Sequence, residues 1–135
     1  MRLLSAALAV MMLQAAAPMR TVARGDQSFI ESERQVVART AAEWSAVWQQ
    51  HNPDQPVPPV DFAKEMVVGV FLGSRNTAGF SVEVVSATPE QGALVVRYRQ
   101  VSPPPGAITA QVITMPFHLV AVPKTAGEVK FQRMQ

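Results

Sequence analysis

The sequence contains no cysteine. Disulfide bridges, thiol chemistry and zinc sites built on cysteine are therefore excluded for these residues. The cysteine that a bacterial lipid anchor requires is missing as well. Stability must come from the packed core alone, and a chain of 135 residues with 48% hydrophobic side chains is large enough to bury one.

Charge is scarce and nearly balanced, with 12 basic against 10 acidic side chains and a formal net charge of +2. There is no dense run of lysine and arginine and no basic patch interleaved with aromatic residues, so we expect no nucleic-acid partner. The only histidines, His51 and His118, belong to different predicted elements. Neither lies among acidic residues at metal-ligand spacing, so we expect no metal ion and no other cofactor.

Recognisable catalytic motifs are also missing. The serines do not stand in a nucleophile-elbow context, and no glycine-rich phosphate loop precedes a helix. Asp61 and Glu65 are close in sequence, but the pattern around them predicts no cleft between two carboxylates. The sequence therefore predicts a protein that is not an enzyme.

One long hydrophobic run is present, near the beginning of the chain. Arg2 precedes an uncharged apolar stretch at residues 3–13, and small residues follow up to Ala17. This order is typical of a secretory signal peptide, and the run is shorter than the roughly 20 residues that span a bilayer. We assign residues 1–17 to a signal peptide whose cleavage site is uncertain, since Pro18 would follow a cut after Ala17. The prediction is a periplasmic or secreted protein without stable membrane insertion.

The remaining sequence predicts one domain at residues 34–135, preceded by a partly mobile lead-in at residues 18–33. Strand patterns occur at 35–39, 66–72, 80–84, 94–99, 111–122 and 128–132. The run 66–72 is apolar on both alternating faces, which is typical of a central strand that is covered on two sides. We expect an α+β fold, with an antiparallel sheet of about five strands and one amphipathic helix packed on one face.

The single helix is predicted to begin after Thr40. Thr40 and Glu43 have the spacing of a capping box, in which the hydroxyl accepts from the third helical amide and the glutamate reaches back to the Thr40 amide. Trp44 and Trp48 lie one helical turn apart, so we expect both rings to pack in the core. Pro53 ends the helix.

The segment 73–80 connects two predicted strands and carries glycine at positions 73 and 79. We interpret it as a hairpin loop, because turn residues fill it and strands flank it. Loops held by strands commonly carry recognition groups. The candidate contact residues for a protein partner are Arg75, Asn76, Thr77 and Phe80.

Four segments, in order and spacing, support a family resemblance. They are Glu43-Trp44 with Val47-Trp48, then Val60-Asp61-Phe62, residues 73–82, and Met115-Pro116-Phe117-His118-Leu119-Val120. Over roughly residues 35–131 the chain resembles the C-terminal domain family of PrcB, a subunit of a bacterial cell-surface protease complex. The resemblance implies an exported accessory domain that stabilises or partners other proteins and contributes no catalytic residues. Two positions depart from the family pattern. The family often has proline where this chain has Asn76, and it more often has glycine where this chain has Ala78.

The same loop also resembles the Asn-Pro-Thr-Thr-Gly-aromatic loop of chagasin-type cysteine-protease inhibitors, although their companion tryptophan loop has no counterpart here. We therefore expect a non-enzymatic accessory domain that acts by protein–protein contact and stabilises a secreted or surface protease complex. One alternative is a protease inhibitor that uses the loop at 75–80. Another is a small-molecule-binding domain, which a deep pocket lined by converging polar groups would indicate.

Overall fold

The computed structural model describes residues 15–135, so most of the predicted signal peptide lies outside the described residues. Within that range the elements are β1 (Arg20–Gly25), β2 (Arg34–Ala38), α1 (Ala41–His51), β3 (Glu65–Phe71), β4 (Ser81–Glu90), β5 (Ala93–Val101), β6 (Phe117–Pro123) and β7 (Val129–Met134). Among these residues, no helix has the length and apolar character needed to cross a membrane.

The strands form two sheets, which corrects the predicted single sheet of about five strands. One sheet has the order β1-β6-β3-β2 and is antiparallel throughout. The other has the order β4-β5-β7, and its β5 and β7 run parallel. The prediction was wrong because it paired strands that follow each other in sequence, whereas β3 and β4 lie in different sheets. The α+β class is confirmed.

The molecule has three layers: the helix, the four-stranded sheet and the three-stranded sheet. The central strand β3 shows how they pack, since its side chains alternate between two cores. Val68 and Val70 pack against the three-stranded sheet, whereas Val67 and Phe71 pack on the helix side, and all four are fully buried. Burying one such side chain stabilises the fold by about 1.5–3 kcal/mol. The predicted strand with two covered faces is confirmed.

The cap of α1 differs from the prediction by one residue. The Thr40 hydroxyl accepts from the Glu43 amide at 3.1 Å, as expected. The Glu43 carboxylate, however, accepts from the amide of Arg39 at 2.9 Å and not from that of Thr40. Both hydrogen bonds satisfy backbone N–H groups at the junction between β2 and the helix. The first amides of a helix have no acceptor within the helix.

The two tryptophans of α1 form the helix side of the core, as predicted. Trp44 and Trp48 are 2% and 6% exposed, and their rings lie 5.5 Å apart. Each indole N–H donates at 2.9 Å to a backbone carbonyl, that of Pro58 for Trp44 and that of Gln55 for Trp48. The tryptophans thus hold the proline-rich segment after the helix, whose prolines cannot donate to a sheet ladder.

The predicted lead-in at residues 18–33 contains a strand that the sequence analysis did not include. β1 pairs with β6 from Arg20 to Gly25. Beyond it, the buried Ser28 accepts from the Ile30 amide at 3.1 Å and lies 2.8 Å from Nδ1 of His51. This segment is therefore part of the packed domain.

His118 connects strands of both sheets. Its Nδ1 accepts from the Val84 amide in β4 at 2.9 Å, and its Nε2 lies 2.9 Å from Oγ1 of Thr21 in β1. Because Nδ1 accepts, the ring proton belongs on Nε2, which donates to Thr21. Burial, assisted by the nearby Arg24, lowers the pKa of His118 to about 4. The ring is therefore neutral at pH 7.

Arg39 ties the connection between β6 and β7 to the rest of the domain. Its guanidinium donates to the carbonyl oxygens of Thr125 and Gly127, the latter at 2.6 Å. Gly127 packs so tightly that a Cβ there would lie 2.4 Å from the carbonyl oxygen of Gly92. The Arg39 guanidinium and the close backbone contact between Gly127 and Gly92 thus fix the turn that leads into β7.

Candidate functional site

Two loops meet at one end of the molecule, and together we call them the paired loops. They are the β3–β4 loop (residues 72–80) and the β5–β6 loop (residues 102–116). Arg75 and Thr114 exchange backbone hydrogen bonds of 2.8 and 3.0 Å, and the Ala78 amide donates to the Ala110 carbonyl at 3.0 Å. The buried Thr114 hydroxyl also donates to the Thr77 carbonyl at 2.9 Å. These four bonds hold the loops side by side.

The β3–β4 loop is not the predicted hairpin. β3 and β4 belong to different sheets, so the loop carries the chain across the sandwich. Gly73 has φ +76°, and a Cβ there would lie 2.7 Å from the Glu31 carbonyl oxygen. Backbone geometry and close approach both require glycine at this position. Ala78 has no positive φ, so the departure from the family pattern causes no backbone strain.

The structure brings the four predicted contact residues together, and the side chains of Arg75 and Thr77 donate to backbone carbonyls of the same loop. The guanidinium carbon of Arg75 lies 5.7 Å from the centroid of the Phe80 ring, a cation–π arrangement. The Thr77 hydroxyl donates to the Ala78 carbonyl at 3.0 Å. Asn76 is exposed, whereas the other three are half-buried. Contact between these residues and a partner stays a prediction.

The β5–β6 loop presents apolar side chains to solvent, which the sequence analysis did not select. Ile108 is fully exposed at 102%, and Ile113 and Val112 are 63% and 51% exposed. No charged residue occurs between residues 102 and 117. Clustered exposed apolar side chains commonly mark interaction sites. The signal in the sequence was this long uncharged stretch. Its three prolines at 103–105 favoured the interpretation of a stiff connector between strands.

A cavity of about 170 Å³ lies next to the paired loops. It is lined by Gln27, Ser28, Phe29, His51, Asn52 and Met115. Phe29 is 62% exposed at its rim, and burial lowers the pKa of His51. The cavity is therefore largely apolar near neutral pH, with a neutral imidazole in its wall.

Ser28 and His51 have the hydrogen-bond distance of a nucleophile and its base, but their surroundings indicate a structural pair. The Ser28 oxygen already accepts from the Ile30 amide. The His51 ring packs between aromatic rings, with centroids 4.1 Å from Phe117 and 4.8 Å from Trp48. Within the described part of the chain, its side-chain hydrogen bond is to Ser28 and not to a carboxylate. Across residues 15–135, no group of three His, Cys, Asp or Glu side chains is placed to hold a metal ion.

The comparison with protein families identifies a related family for part of the chain. Residues 66–123 match the family model described as PrcB C-terminal, which confirms the predicted resemblance over this segment. The match is shorter than half of the chain, but it runs from β3 to β6 and so includes both paired loops. No curated protein and no solved structure matches the chain.

Proposed function

We propose that this chain, whose residues 66–123 match the PrcB C-terminal family, is a non-enzymatic accessory domain that binds a protease or its precursor through the paired loops. We further propose that it acts in the periplasm or outside the cell, as the apolar run at residues 3–13 suggests. Binding would stabilise the partner in its complex.

The observation that carries this proposal is the exposure of apolar side chains on the β5–β6 loop, which hydrogen bonds to the β3–β4 loop hold in place. Ile108, Val112 and Ile113 are all more than half exposed. Leaving such side chains in water forgoes roughly 1.5–3 kcal/mol each, which burial against a partner would recover. The hydrogen bonds to the β3–β4 loop hold the segment in place beforehand, which reduces the entropy lost on binding.

A protein partner fits this surface better than a small molecule does. Small-molecule sites are concave and enclose most of the ligand. Ile108, by contrast, projects fully into solvent and lines neither the 170 Å³ cavity beside Met115 nor the cavity beside Glu31. A projecting apolar side chain is the kind of group that a partner surface receives in a pocket of its own.

Site-specific photocrosslinking tests the proposal directly. Benzoylphenylalanine would replace Ile108 in one variant and Gln132, an exposed residue of β7, in a matched control. Both variants are expressed in the source cells and irradiated, and the crosslinked proteins are identified by mass spectrometry. We expect a protease or protease precursor to be crosslinked at position 108 and not at 132.

The outcomes separate the proposed function from its alternatives. Crosslinking at neither position, or equally at both, would contradict a binding role for the paired loops. If the protease captured at position 108 loses its peptidase activity in proportion to the complex formed, the inhibitor alternative replaces the accessory role. Retained activity, together with faster loss of the protease in cells that lack this chain, supports the accessory role.

A further inference from the structure

The β5–β6 loop continues the line of β6 and has two edges. Thr114 exchanges both backbone bonds with Arg75, so its N–H and C=O point toward the β3–β4 loop. The Met115 amide instead donates to the Asp26 carbonyl, so it points to the opposite edge, where β1 lies. Backbone groups alternate between edges along an extended strand. Gln111 and Ile113 therefore point to the β1 edge as well.

The β1 edge is occupied only up to Met115. β1 ends at Gly25, and the chain then turns away toward the helix, where the Phe29 amide donates to the His51 carbonyl at 2.8 Å. Among residues 15–135, no protein group bonds to the backbone of Gln111 or Ile113 on this edge. An open ladder position therefore exists beside residues 111–113, in line with β1.

Side chains on the helix side of this position form an apolar surface. Along β6, Phe117 and Leu119 face the helix layer, so the same alternation places Met115 and Ile113 on that side. Met115 and Phe29 line the 170 Å³ cavity next to the open position. A strand lying there would direct every second side chain toward this cavity, and its volume suits one aliphatic side chain.

We infer that residues 111–113 form a strand-addition site, at which an extended, uncharged segment of the protein partner pairs with the outward backbone groups of Gln111 and Ile113 and places one aliphatic side chain in the neighbouring cavity. The inference rests on the proposed function and specifies the recognition chemistry at the same loops. Strand addition derives affinity from main-chain hydrogen bonds and specificity from pockets for alternate side chains, and this edge offers both.

Charge decides which segments can occupy the site. The loop carries no charged residue between positions 102 and 117, and the cavity wall is apolar apart from short polar side chains and neutral His51. A carboxylate or ammonium group placed in this cavity would lose hydration without gaining an opposite charge. The partner segment is therefore uncharged at the residue that enters the cavity.

A short peptide tests the inference on the full chain. The probe is the acetylated, amidated peptide Lys-Thr-Val-Thr-Leu-Thr-Lys, with lysines outside the ladder for solubility. The control peptide carries Glu in place of Leu. Binding is followed by residue-resolved amide hydrogen exchange. With so few bonds we expect a dissociation constant of about 10 μM to 1 mM. The signature is alternating protection, with slowed exchange at Gln111 and Ile113 and unchanged exchange at Val112.

Matched proline variants separate backbone pairing from simple apolar contact. Ile113→Pro removes an N–H that points to the open edge, whereas Val112→Pro removes one that points to the β3–β4 loop. We expect Ile113→Pro to weaken peptide binding about tenfold or more and Val112→Pro to weaken it less than about threefold. Thermal melts establish that both variants are folded, and the exchange pattern of the unmodified protein decides the matter if either is not.

The outcomes distinguish this inference from the proposed function. If the protease is crosslinked at position 108 but neither the peptide nor the protease protects Gln111 and Ile113, strand addition is overturned and the accessory role stands. Equal binding of the Glu peptide would overturn the cavity's part in recognition. If the same alternating protection appears without peptide and grows with protein concentration, the occupant is a second copy of this chain, and a partner segment is overturned.

Discussion

The two paired loops use their residues in opposite ways. The β3–β4 loop is rich in polar and turn-forming residues, yet Thr77 and Ala78 use backbone groups, and Thr77 its hydroxyl as well, to bind within the molecule. The β5–β6 loop looks like a stiff connector in sequence, yet it leaves Ile108 and Ile113 exposed to solvent.

The difference teaches that turn chemistry marks where the backbone bends and not where a partner binds. Glycine and short polar residues are selected for local geometry, and their hydrogen-bonding groups are often used locally. An exposed aliphatic side chain such as Ile108 has no local use of this kind. We therefore regard the β3–β4 loop as the support and the β5–β6 loop as the contact surface, and three measurements can break or sharpen that division.

The largest effect is expected from an alanine at the base of the β3–β4 loop. Gly73 and Gly106 both have positive φ, but a Cβ at Gly73 meets backbone atoms at 2.7–2.9 Å, whereas at Gly106 it meets nothing within 4 Å. Gly73→Ala should lower the free energy of unfolding by about 3 kcal/mol, and Gly106→Ala by about 1 kcal/mol. Urea denaturation of the two variants measures this. Equal losses would mean that both loops are equally fixed.

Low pH should weaken the hydrogen bond between β4 and β6, the strands that follow the two paired loops. Val84 follows the β3–β4 loop, His118 follows the β5–β6 loop, and the two are hydrogen-bonded. The pKa of His118 in the folded state, about 4, lies below its usual value of 6.5. Its stabilising contribution is therefore complete above pH 6.5 and is lost as the pH falls toward 4. We expect the free energy of unfolding to fall by about 2 kcal/mol between pH 7 and pH 5.

Urea denaturation at several pH values measures this loss, and a His118→Gln variant is the control. The variant lacks the titrating ring, so its stability should depend less steeply on pH between 7 and 5. His51, whose pKa burial also lowers, accounts for part of the remaining slope. An unchanged slope in the variant would show that the contact between His118 and Val84 is not what acid breaks.

A smaller effect should follow from cutting the hydrogen bond that joins the loops. Thr114→Val keeps the shape of a buried side chain but removes the donor to the Thr77 carbonyl. We expect a loss of about 1–1.5 kcal/mol, against less than about 0.5 kcal/mol for Thr77→Val, whose hydroxyl bonds only to the neighbouring Ala78. Amide exchange at residues 110–114 should quicken in the first variant alone. If both variants behave alike, the loops are not held together by this bond.

The parts of the fold that local sequence determines were predictable. Each of these patterns lies within fewer than ten neighbouring residues. They are the unbroken apolar run of β3, the capping pair Thr40 and Glu43, and the helical spacing of Trp44 and Trp48. The division into two sheets was not predictable in this way. It depends on long-range pairings, such as β1 with β6, between segments about one hundred residues apart.

Of the two paired loops, the sequence predicted one as a contact surface and missed the other, and contact with a partner stays a prediction for both. Sequence reasoning selected the β3–β4 loop from its glycines, and the structure shows that those glycines serve backbone geometry. The exposure of Ile108 and Val112 could not be read from sequence, because an apolar residue between strands is more often buried. The pairing of the loops also lies beyond local sequence, because Arg75 and Thr114 meet across 39 positions.

The parallel pairing of β7 with β5 has a consequence for the order of assembly. A chain made from its N-terminus completes β4 and β5 well before residues 129–134 emerge, and β6 must join the other sheet in between. Until then β5 has a vacant edge, whereas the carbonyls of residues 125 and 127 that Arg39 binds are made just before β7. Arg39 can therefore fix the turn that leads into β7 before β7 itself is made, and a nascent chain paused at that point would leave the edge of β5 open to strand exchange with its neighbours.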